Sequence, residues 1–376
     1  MTLPVSAYLP ALWAAVGTSL FAAGGLWTLR RRDFLLLQRW LRKGPTQQPR
    51  PGISIVVTAC NAAPSLAENL PSLLAQRYPA FEVVVADECA DAATEDLLKT
   101  LEQTHLNLRH VALPEGSAHK SRRRLAATLG IRAARHEWIV LTEVDCRPTG
   151  EEWLLRLADE MTEGHDMVVG CATFFDFGRE RFPRAATARI NAQLPWLYAA
   201  QRGRRAALVD SANLAFRRSW FEMSGGYAPT LSFPLDYGEN SVLADAYSRK
   251  GRVGAVCCHE ALVLQAYTGR ARFRKMQEEQ RRLTAHLSLR AKRVQLRRRF
   301  AALSAGLLAV AATSALFATA GFFLVPMFSK LSFALLPAPQ QYGLLAASAL
   351  LLGALLSLLV GRLKRRKALR RLLYGD

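Results

Sequence analysis

Between residues 51 and 268, short apolar stretches rich in β-branched residues alternate with longer stretches of helical periodicity. Apolar stretches of this kind are typical of parallel strands that are buried on both faces of a sheet. Their alternation with helices predicts an α/β domain with a mainly parallel sheet. The predicted strands are Ile53–Val57, Phe81–Ala86, Leu108–Leu113, Ile139–Thr142 and Met167–Gly170, and the predicted helices are Ser65–Gln76, Thr94–Glu102, Ser121–Arg135 and Glu151–Glu163.

Three uncharged apolar stretches lie outside this domain, at residues 6–29, 300–328 and 342–361. Each is long enough for a membrane-spanning helix, which needs about 20 apolar residues. A cleaved signal peptide is the alternative for the first stretch, but there the positive charges follow the apolar run instead of preceding it. We therefore predict one N-terminal and two C-terminal transmembrane helices.

Composition and charge agree with a membrane protein. Of the 376 residues 51% are hydrophobic, yet the net charge is +20, and basic residues crowd one side of each apolar stretch. By the positive-inside rule, the α/β domain and the C-terminus lie in the cytoplasm. The predicted segments are a transmembrane helix (1–29), a basic linker (30–50), the α/β domain (51–268), a basic amphipathic helix (269–299), two transmembrane helices (300–361) and a basic tail (362–376).

The basic helix and the cysteines bear on partners and compartment. Apolar side chains at Phe273, Met276, Leu283 and Leu287 share one helical face, as expected of a helix that lies on a bilayer. Charge beside membrane spans favours lipid headgroups as partners and argues against nucleic acid. The cysteines lack metal-binding spacing and are predicted to be reduced thiols in a cytosolic compartment, at positions 60, 89, 146, 171, 257 and 258.

Polar residues follow the first, second and fourth predicted strands at the points where those strands end. They are Asn61, the pair Asp87-Glu88, and the acid pair Glu143 and Asp145. In open α/β sheets, ligands bind outside the carboxyl ends of the strands. Two carboxylates one residue apart can hold a hard divalent cation and, through it, a diphosphate. No glycine-rich phosphate loop follows the first strand, which argues against dinucleotide and P-loop sites.

A series of motifs occurs in a fixed order along the domain. They are Ile55-Val56-Val57-Thr58-Ala59-Cys60-Asn61, Asp87-Glu88, Arg123 with Ala126, Thr128 and Gly130, Glu143-Val144-Asp145, and Asn213-Leu214-Ala215-Phe216-Arg217 with Gly225-Gly226-Tyr227. Over about residues 50–285, this series resembles the membrane-bound family 2 glycosyltransferases of the GT-A fold, a Rossmann-like α/β fold. Glu143 stands where that family has the first aspartate of its D-x-D motif.

The resemblance implies an inverting hexosyltransferase at the cytoplasmic face of a bacterial inner (plasma) membrane. It would take the sugar from a UDP- or GDP-linked donor and pass it to a lipid-linked or glycan acceptor, with Mg²⁺ or Mn²⁺ as cofactor. The implied residues are Ala59, Asn61, Asp87, Arg123 and Glu143 for the nucleotide, Asp145 with Glu143 for the metal, and Asn213 and Arg217 on the acceptor side. Arg281 and Arg282 are either phosphate contacts or charges that face solvent or lipid.

The catalytic base is open at this point. The family has a pair of acids at the start of a helix, and Asn240 stands here where the second acid, normally the base, is expected. An amide is not a useful proton acceptor. Either Glu239 or Asp236 serves as the base instead, or the protein is a degenerate transferase that acts as a nucleotide-binding or scaffold protein in envelope assembly.

Overall fold

The computed structural model describes residues 35, 37–41, 50–113, 121–230, 235, 237–289, 291–293, 296, 300, 303, 356 and 359–375. Residues 37–292 and 369–376 form one compact unit, and residues 1–36 and 293–368 form another. The first unit contains the β-sheets that are described below. In the second unit, residues 359–368 are helical.

Two β-sheets form the frame of the first unit. In chain order the described strands are β1 (Ile53–Ala59), β2 (Phe81–Asp87), β3 (Leu108–Ala112), β4 (Trp138–Glu143), β5 (Cys146–Pro148), β6 (Met167–Val169), β7 (Cys171–Phe175), β8 (Leu214–Arg217), β9 (Val253–Ala255) and β10 (Leu262–Ala266). Within the described residues, the larger sheet has the order β3-β2-β1-β4-β8-β6-β9, and the smaller has the order β5-β10-β7. β8 runs antiparallel to both β4 and β6, so the larger sheet is mixed.

Helices lie between the strands and after the last one, and two of them begin at a side-chain cap. They are α1 (Ala63–Leu74), α2 (Ala92–Thr104), α3 (Arg122–Ala133), α4 (Trp153–Ala158), α5 (Arg184–Gln201), α6 (Arg218–Met223), α7 (Glu239–Tyr247) and α8 (Arg270–His286). The side chains of Asp91 and Ser121 accept hydrogen bonds from the first turns of α2 and α3. The five predicted strands and four predicted helices are thus confirmed, with small shifts at most of their ends and a larger shortening of α4.

The central strands of the larger sheet are apolar at consecutive positions because both of their faces are buried in the core. Strands β1, β2 and β4 are buried on both faces, with side chains such as Ile55, Val84 and Val140 fully inaccessible. Helix α3 packs directly on β1, where a Cβ at Gly130 would lie 2.8 Å from Cγ1 of Val56. The strands that the sequence did not predict, β5 and β7–β10, are only three to five residues long.

The predicted membrane spans are contradicted. In the part of the chain that the structure describes, no helix has both the length and the apolar character needed to cross a bilayer. The two longest of the helices named above illustrate this: the 18-residue α5 contains two arginines and several uncharged polar side chains, and the 17-residue α8 carries charged side chains along its length. The predicted spans at 6–29, 300–328 and 342–361 lie almost wholly outside the described residues. The three transmembrane helices, and the multi-pass inner-membrane localisation that depended on them, are therefore wrong by this finding.

Candidate active site

The register of the parallel strands brings the predicted polar strand ends together. Ala59 at the end of β1 pairs with Asp87 at the end of β2, and Thr58 pairs with Glu143 at the end of β4. Parallel neighbours therefore end at one level, and the residues that follow them lie at a single edge of the sheet.

A disulfide joins the loops after β1 and β2. Cys60 and Cys89 are bonded, with their Cα atoms 4.9 Å apart. The prediction that all six cysteines are reduced is thus wrong, because the β1–β2 register places these two side by side. Residues 146, 171, 257 and 258 are free and buried. Asn61 and Ala90, which each follow a bonded cysteine, have positive φ angles of 49° and 52°, a conformation that L-residues seldom adopt.

Asp87 is almost wholly buried, with 1% of its surface exposed. Its Oδ1 accepts hydrogen bonds from the backbone amides of Cys89 and Ala90, at 3.0 and 3.1 Å. Asn61 is exposed, and its backbone amide donates to Oδ1 of Asp91. The carboxylate of Asp87 therefore fixes the turn after β2. Asn61, at the same edge of the sheet, remains exposed to solvent.

A cavity of about 400 Å³ opens beside this edge. Glu143 and Arg123 lie on its wall, and Nη2 of Arg123 donates to Oε1 of Glu143 at 2.8 Å. The charges of Glu143 and then Glu239 raise the pKa of Arg123 above its ordinary value, against the opposing effect of burial. Arg123 is therefore a permanent cation between two carboxylates, in a position suited to phosphate oxygens.

Asp145, two residues after Glu143, is bound from two sides. Nε2 of Gln265 donates to both of its carboxylate oxygens, at 3.0 and 3.2 Å. Nη2 of Arg272, on α8, lies 3.0 Å from Oδ2. About one fifth of the Asp145 side chain (21%) is exposed, so one side of the carboxylate is open to solvent.

Two carboxylates at this edge, those of Glu143 and Asp145, are of the type that binds a hard divalent cation, but among the described residues no group of three or more His, Cys, Asp or Glu side chains is arranged to hold a metal ion. Carboxylate oxygens are the ligands that Mg²⁺ and Mn²⁺ prefer, and a bound diphosphate commonly completes their shells. Glu143 and Asp145 are both partly exposed, and each already faces a positive group, Arg123 and Arg272 respectively. A metal ion bound by these two carboxylates would therefore have to share them with the two guanidinium groups.

Glu239 is the first residue of α7 and lies on the wall of the same cavity. Gly238 precedes it with a φ of 81°, a left-handed turn that glycine adopts without strain. Only 7% of Glu239 is exposed, and its Oε2 has no hydrogen-bond partner among the residues that the structure describes. A buried carboxylate oxygen without a hydrogen-bond partner is uncommon, and here it belongs to a residue that lines a cavity, which makes Glu239 the candidate proton acceptor.

Asn240 has a different environment. Its Oδ1 accepts from the hydroxyl of Tyr227 at 2.8 Å, and its Nδ2 donates to Oγ of Ser211 at 2.9 Å. Both ends of this buried amide are therefore used in fixing α7 to its neighbours. Asp236, the other predicted base, lies outside the described residues.

Helix α8 covers the cavity with a different set of residues from the one predicted. Arg272, Lys275, Met276 and Gln280 line the cavity. Arg281 and Arg282, the predicted phosphate contacts, are exposed and are not on the cavity wall. Arg282 instead pairs with Glu278 on its own helix, which raises the pKa of Arg282.

The apolar face of α8, for which a bilayer contact was predicted, packs against protein. Phe273 makes an edge contact with Phe174, with ring centroids 6.0 Å apart. Leu283 and Leu287 are buried, and Leu283 lies so close to Gly238 that a Cβ there would be 2.6 Å from it. The helix is therefore held over the start of α7.

The side chains of the two residues predicted on the acceptor side bind backbone carbonyls within the protein. Asn213 is fully buried, and its Nδ2 donates to the carbonyls of Cys171 and Ala261, both at 2.8 Å. Arg217 donates to the carbonyls of His165 and Thr162 and stacks on Trp138. Neither residue lies on the cavity wall. In this motif, the two side chains therefore contribute to the packing of the domain.

The sequence did not indicate three further residues of this region. They are Arg189 on α5, Asp210 just before the turn Ser211–Asn213, and Gln265 on β10. Arg189 and Asp210 form a bidentate pair, with Nη2 to Oδ2 at 2.8 Å. All three line the cavity. The one available signal was Gln265, a single polar residue within the apolar stretch Leu262–Ala266.

Part of the chain matches a known protein family. Residues 54–224 match the family described as Glycosyl transferase family 2. The chain is also 32% identical, over 111 residues, to the succinoglycan biosynthesis protein ExoO of Rhizobium meliloti (strain 1021). That match covers 29% of this chain and 30% of ExoO, so the chain spans less than a third of the curated relative that it matches.

A solved structure resembles most of the chain in fold. It is the mannosyltransferase PcManGT from Pyrobaculum calidifontis, in complex with GDP-Man and Mn²⁺. The TM-score is 0.52 at 19% sequence identity, and the match covers 92% of this chain and 98% of that one. At this identity the likeness concerns the fold alone. Together, these comparisons support a GT-A-like α/β fold for the chain and a family 2 glycosyltransferase domain over residues 54–224.

Proposed function

We propose that the protein is an inverting, metal-dependent hexosyltransferase that uses a UDP- or GDP-linked sugar. The acceptor would be the hydroxyl of a glycan or of a lipid-linked sugar. The observation that carries the proposal is Glu239, a buried residue on the wall of a cavity that Arg123 and Glu143 also line, with one carboxylate oxygen that has no hydrogen-bond partner among the described residues. A base, a fixed cation and a metal-binding carboxylate beside one cavity are what sugar transfer from a nucleotide diphosphate requires.

Each residue has a role that its position allows. Asn61 and the turn shaped by Asp87 would receive the nucleoside, at the joined ends of β1 and β2. Asp145, with Glu143, would hold Mg²⁺ or Mn²⁺, which when bound neutralises charge on the leaving diphosphate. Arg123 would contact the phosphate oxygens directly. Glu239 would accept the proton of the acceptor hydroxyl as that oxygen attacks the anomeric carbon from the face opposite the leaving group.

The test is donor turnover by the purified full chain. We expect hydrolysis or transfer of a UDP- or GDP-sugar in the presence of Mn²⁺ or Mg²⁺, and a loss of roughly a hundredfold or more in Asp145→Asn, since metal stabilisation is worth several kcal/mol. Equal turnover in the two proteins would reject the metal role of Asp145.

A second function has an observation in its favour. Asn240 stands at the family's usual base position and is fully used in hydrogen bonds to Tyr227 and Ser211, as in a degenerate transferase that acts as a nucleotide-binding or scaffold protein. Calorimetry with UDP, GDP and Mn²⁺ separates the two functions when it is combined with turnover. Binding with no turnover of any nucleotide sugar would favour the degenerate transferase, and turnover would exclude it.

A further inference from the structure

Gln265 is the residue that makes the most specific contact with Asp145. It lies on β10, where it pairs in register with Cys146 of β5, the residue after Asp145. Only 7% of its surface is exposed, and its Nε2 donates to both oxygens of Asp145 at 3.0 and 3.2 Å. The backbone amide of Ala266, the next residue, donates to the carbonyl of Asp145 at 3.0 Å. Strand β10 therefore holds both the backbone and the side chain of Asp145.

The orientation of the Gln265 amide is set by Arg189. A side-chain amide has a donor end and an acceptor end, and its neighbours decide which end faces where. Nη1 of Arg189 donates to Oε1 of Gln265. Because a guanidinium can only donate, Oε1 must face Arg189, which leaves the Nε2 donors of the amide for Asp145.

Arg189 is itself fixed. Its guanidinium is 6% exposed, forms the bidentate pair with Asp210 and stacks on Phe174 at 4.6 Å from the ring centroid. Asp210 in turn accepts from the amide of Ala212, within the turn that carries Ser211. Ser211 accepts from Asn240, which is adjacent to Glu239. Polar contacts, joined by the backbone between Asp210 and Ser211, therefore lead from Asp145 to the start of α7.

We propose that Gln265 is a positioning residue for the metal-binding carboxylate of Asp145, and that Arg189 acts through Gln265 by fixing the direction of its amide. The inference rests on the proposed function, in which Asp145 binds the divalent cation. Partners that orient a ligating group from behind typically change metal affinity when they are lost. Gln265 and Arg189 would thus set the affinity of the site for its cation.

The test is the affinity of the full chain for Mn²⁺ in the presence of GDP, measured by calorimetry or by the EPR signal of free Mn²⁺. We expect Gln265→Met, which keeps the volume but removes the donor, to weaken Mn²⁺ binding by roughly 10- to 100-fold. Gln76→Leu is the matched control. Gln76 is also a buried glutamine, but it bonds backbone groups of Ser72, Gly150 and Leu154, so its loss should leave Mn²⁺ affinity unchanged.

Arg189→Lys provides a second measurement if Gln265→Met does not fold. The lysine keeps a charge for Asp210 but loses the fork that reaches both Asp210 and Gln265, so we expect weaker Mn²⁺ binding here too. Asp145→Asn separates the inference from the function on which it rests. Weak binding in Asp145→Asn together with wild-type binding in folded Gln265→Met or Arg189→Lys would overturn the positioning role alone. Unchanged binding in Asp145→Asn would overturn the metal role and the positioning role together.

Discussion

Nη2 of Arg272 lies 3.0 Å from Oδ2 of Asp145, although the two residues are 127 positions apart in the sequence. The guanidinium is half exposed (52%), so the contact is an ion pair that solvent screens. It places a positive charge on the carboxylate that is proposed to bind the metal. Arg272 is therefore expected to compete with the cation for Asp145.

Replacing this arginine should strengthen metal binding. We expect Arg272→Gln to bind Mn²⁺ roughly two- to fivefold more tightly than the wild type, because an exposed ion pair is worth up to about 1 kcal/mol. Titration of the full chain with Mn²⁺ measures the change. Arg274→Gln, an exposed position on the same helix, controls for the general loss of positive charge. Weaker binding in Arg272→Gln alone would show that Arg272 supports the metal site instead.

Restoring an acid at position 240 should not improve the enzyme. Asn240 is 5% exposed and next to Glu239, so Asn240→Asp puts a second carboxylate into a buried place beside a first. We expect a loss of about 1–3 kcal/mol in the free energy of unfolding and no gain in turnover. Denaturant unfolding and donor hydrolysis measure the two effects. A rise in turnover would mean that position 240 is the base position and that the wild-type protein is degenerate.

Reduction of the Cys60–Cys89 disulfide should destabilise the loops after β1 and β2, where the nucleoside is proposed to bind. The bond closes a loop with a sequence separation of 29, for which chain-entropy arguments give a stabilisation of about 3.6 kcal/mol. We expect dithiothreitol to lower the melting temperature of the wild type and to weaken GDP or UDP binding. Cys60→Ser should have the lower melting temperature and the weaker nucleotide affinity without reductant, and dithiothreitol should not change either quantity further. A melting temperature and nucleotide affinity that ignore reduction in the wild type would contradict this role.

Asp166 predicts a pH-dependent contribution to stability. Burial acts to raise its pKa, but hydrogen bonds and charges from Arg252 and Arg249 outweigh burial and hold the pKa of Asp166 below its ordinary value. The folded state therefore favours the ionised form. The stabilisation is complete above the unfolded pKa of about 3.9 and disappears as pH falls through the lower folded value.

The corresponding measurement is urea unfolding at several pH values. We expect Asp166→Asn to cost about 1–3 kcal/mol at pH 7, in line with hydrogen bonds to charged groups, and the difference from wild type to shrink toward pH 3. Asp96→Asn, at an exposed position of α2, is the control. A difference that stays constant over this range would show that the ionisation of Asp166 does not contribute.

The parts of the site that could be predicted depend on local sequence. Continuous apolar strands end where polar residues begin, so Asn61, Asp87 and Glu143 were assigned to strand ends from the sequence. Parallel pairing then requires neighbouring strands to end at one level, as the pairs Ala59–Asp87 and Thr58–Glu143 do. Element type, strand ends and their common edge follow from these local rules.

The remaining parts depend on contacts between distant residues. Gln265 reaches Asp145 across 120 positions, and Arg272 does so across 127, and no local pattern encodes such a pairing. The motif residues Asn213 and Arg217 were expected on the acceptor side, but their side chains satisfy buried backbone carbonyls. Cysteine spacing alone did not indicate the bond between Cys60 and Cys89, because that pairing arises from the strand register.

Glu239 is proposed to accept the proton of the attacking hydroxyl. Single-turnover kinetics of Glu239→Gln test this role most directly. The isosteric amide keeps the shape of the cavity but cannot take the proton. With Mn²⁺ and a donor that the wild type turns over, we expect the rate to fall by roughly 10²- to 10⁴-fold while nucleotide affinity stays near that of the wild type. A rate within a fewfold of wild type, at unchanged affinity, would contradict the assignment of Glu239 as the base.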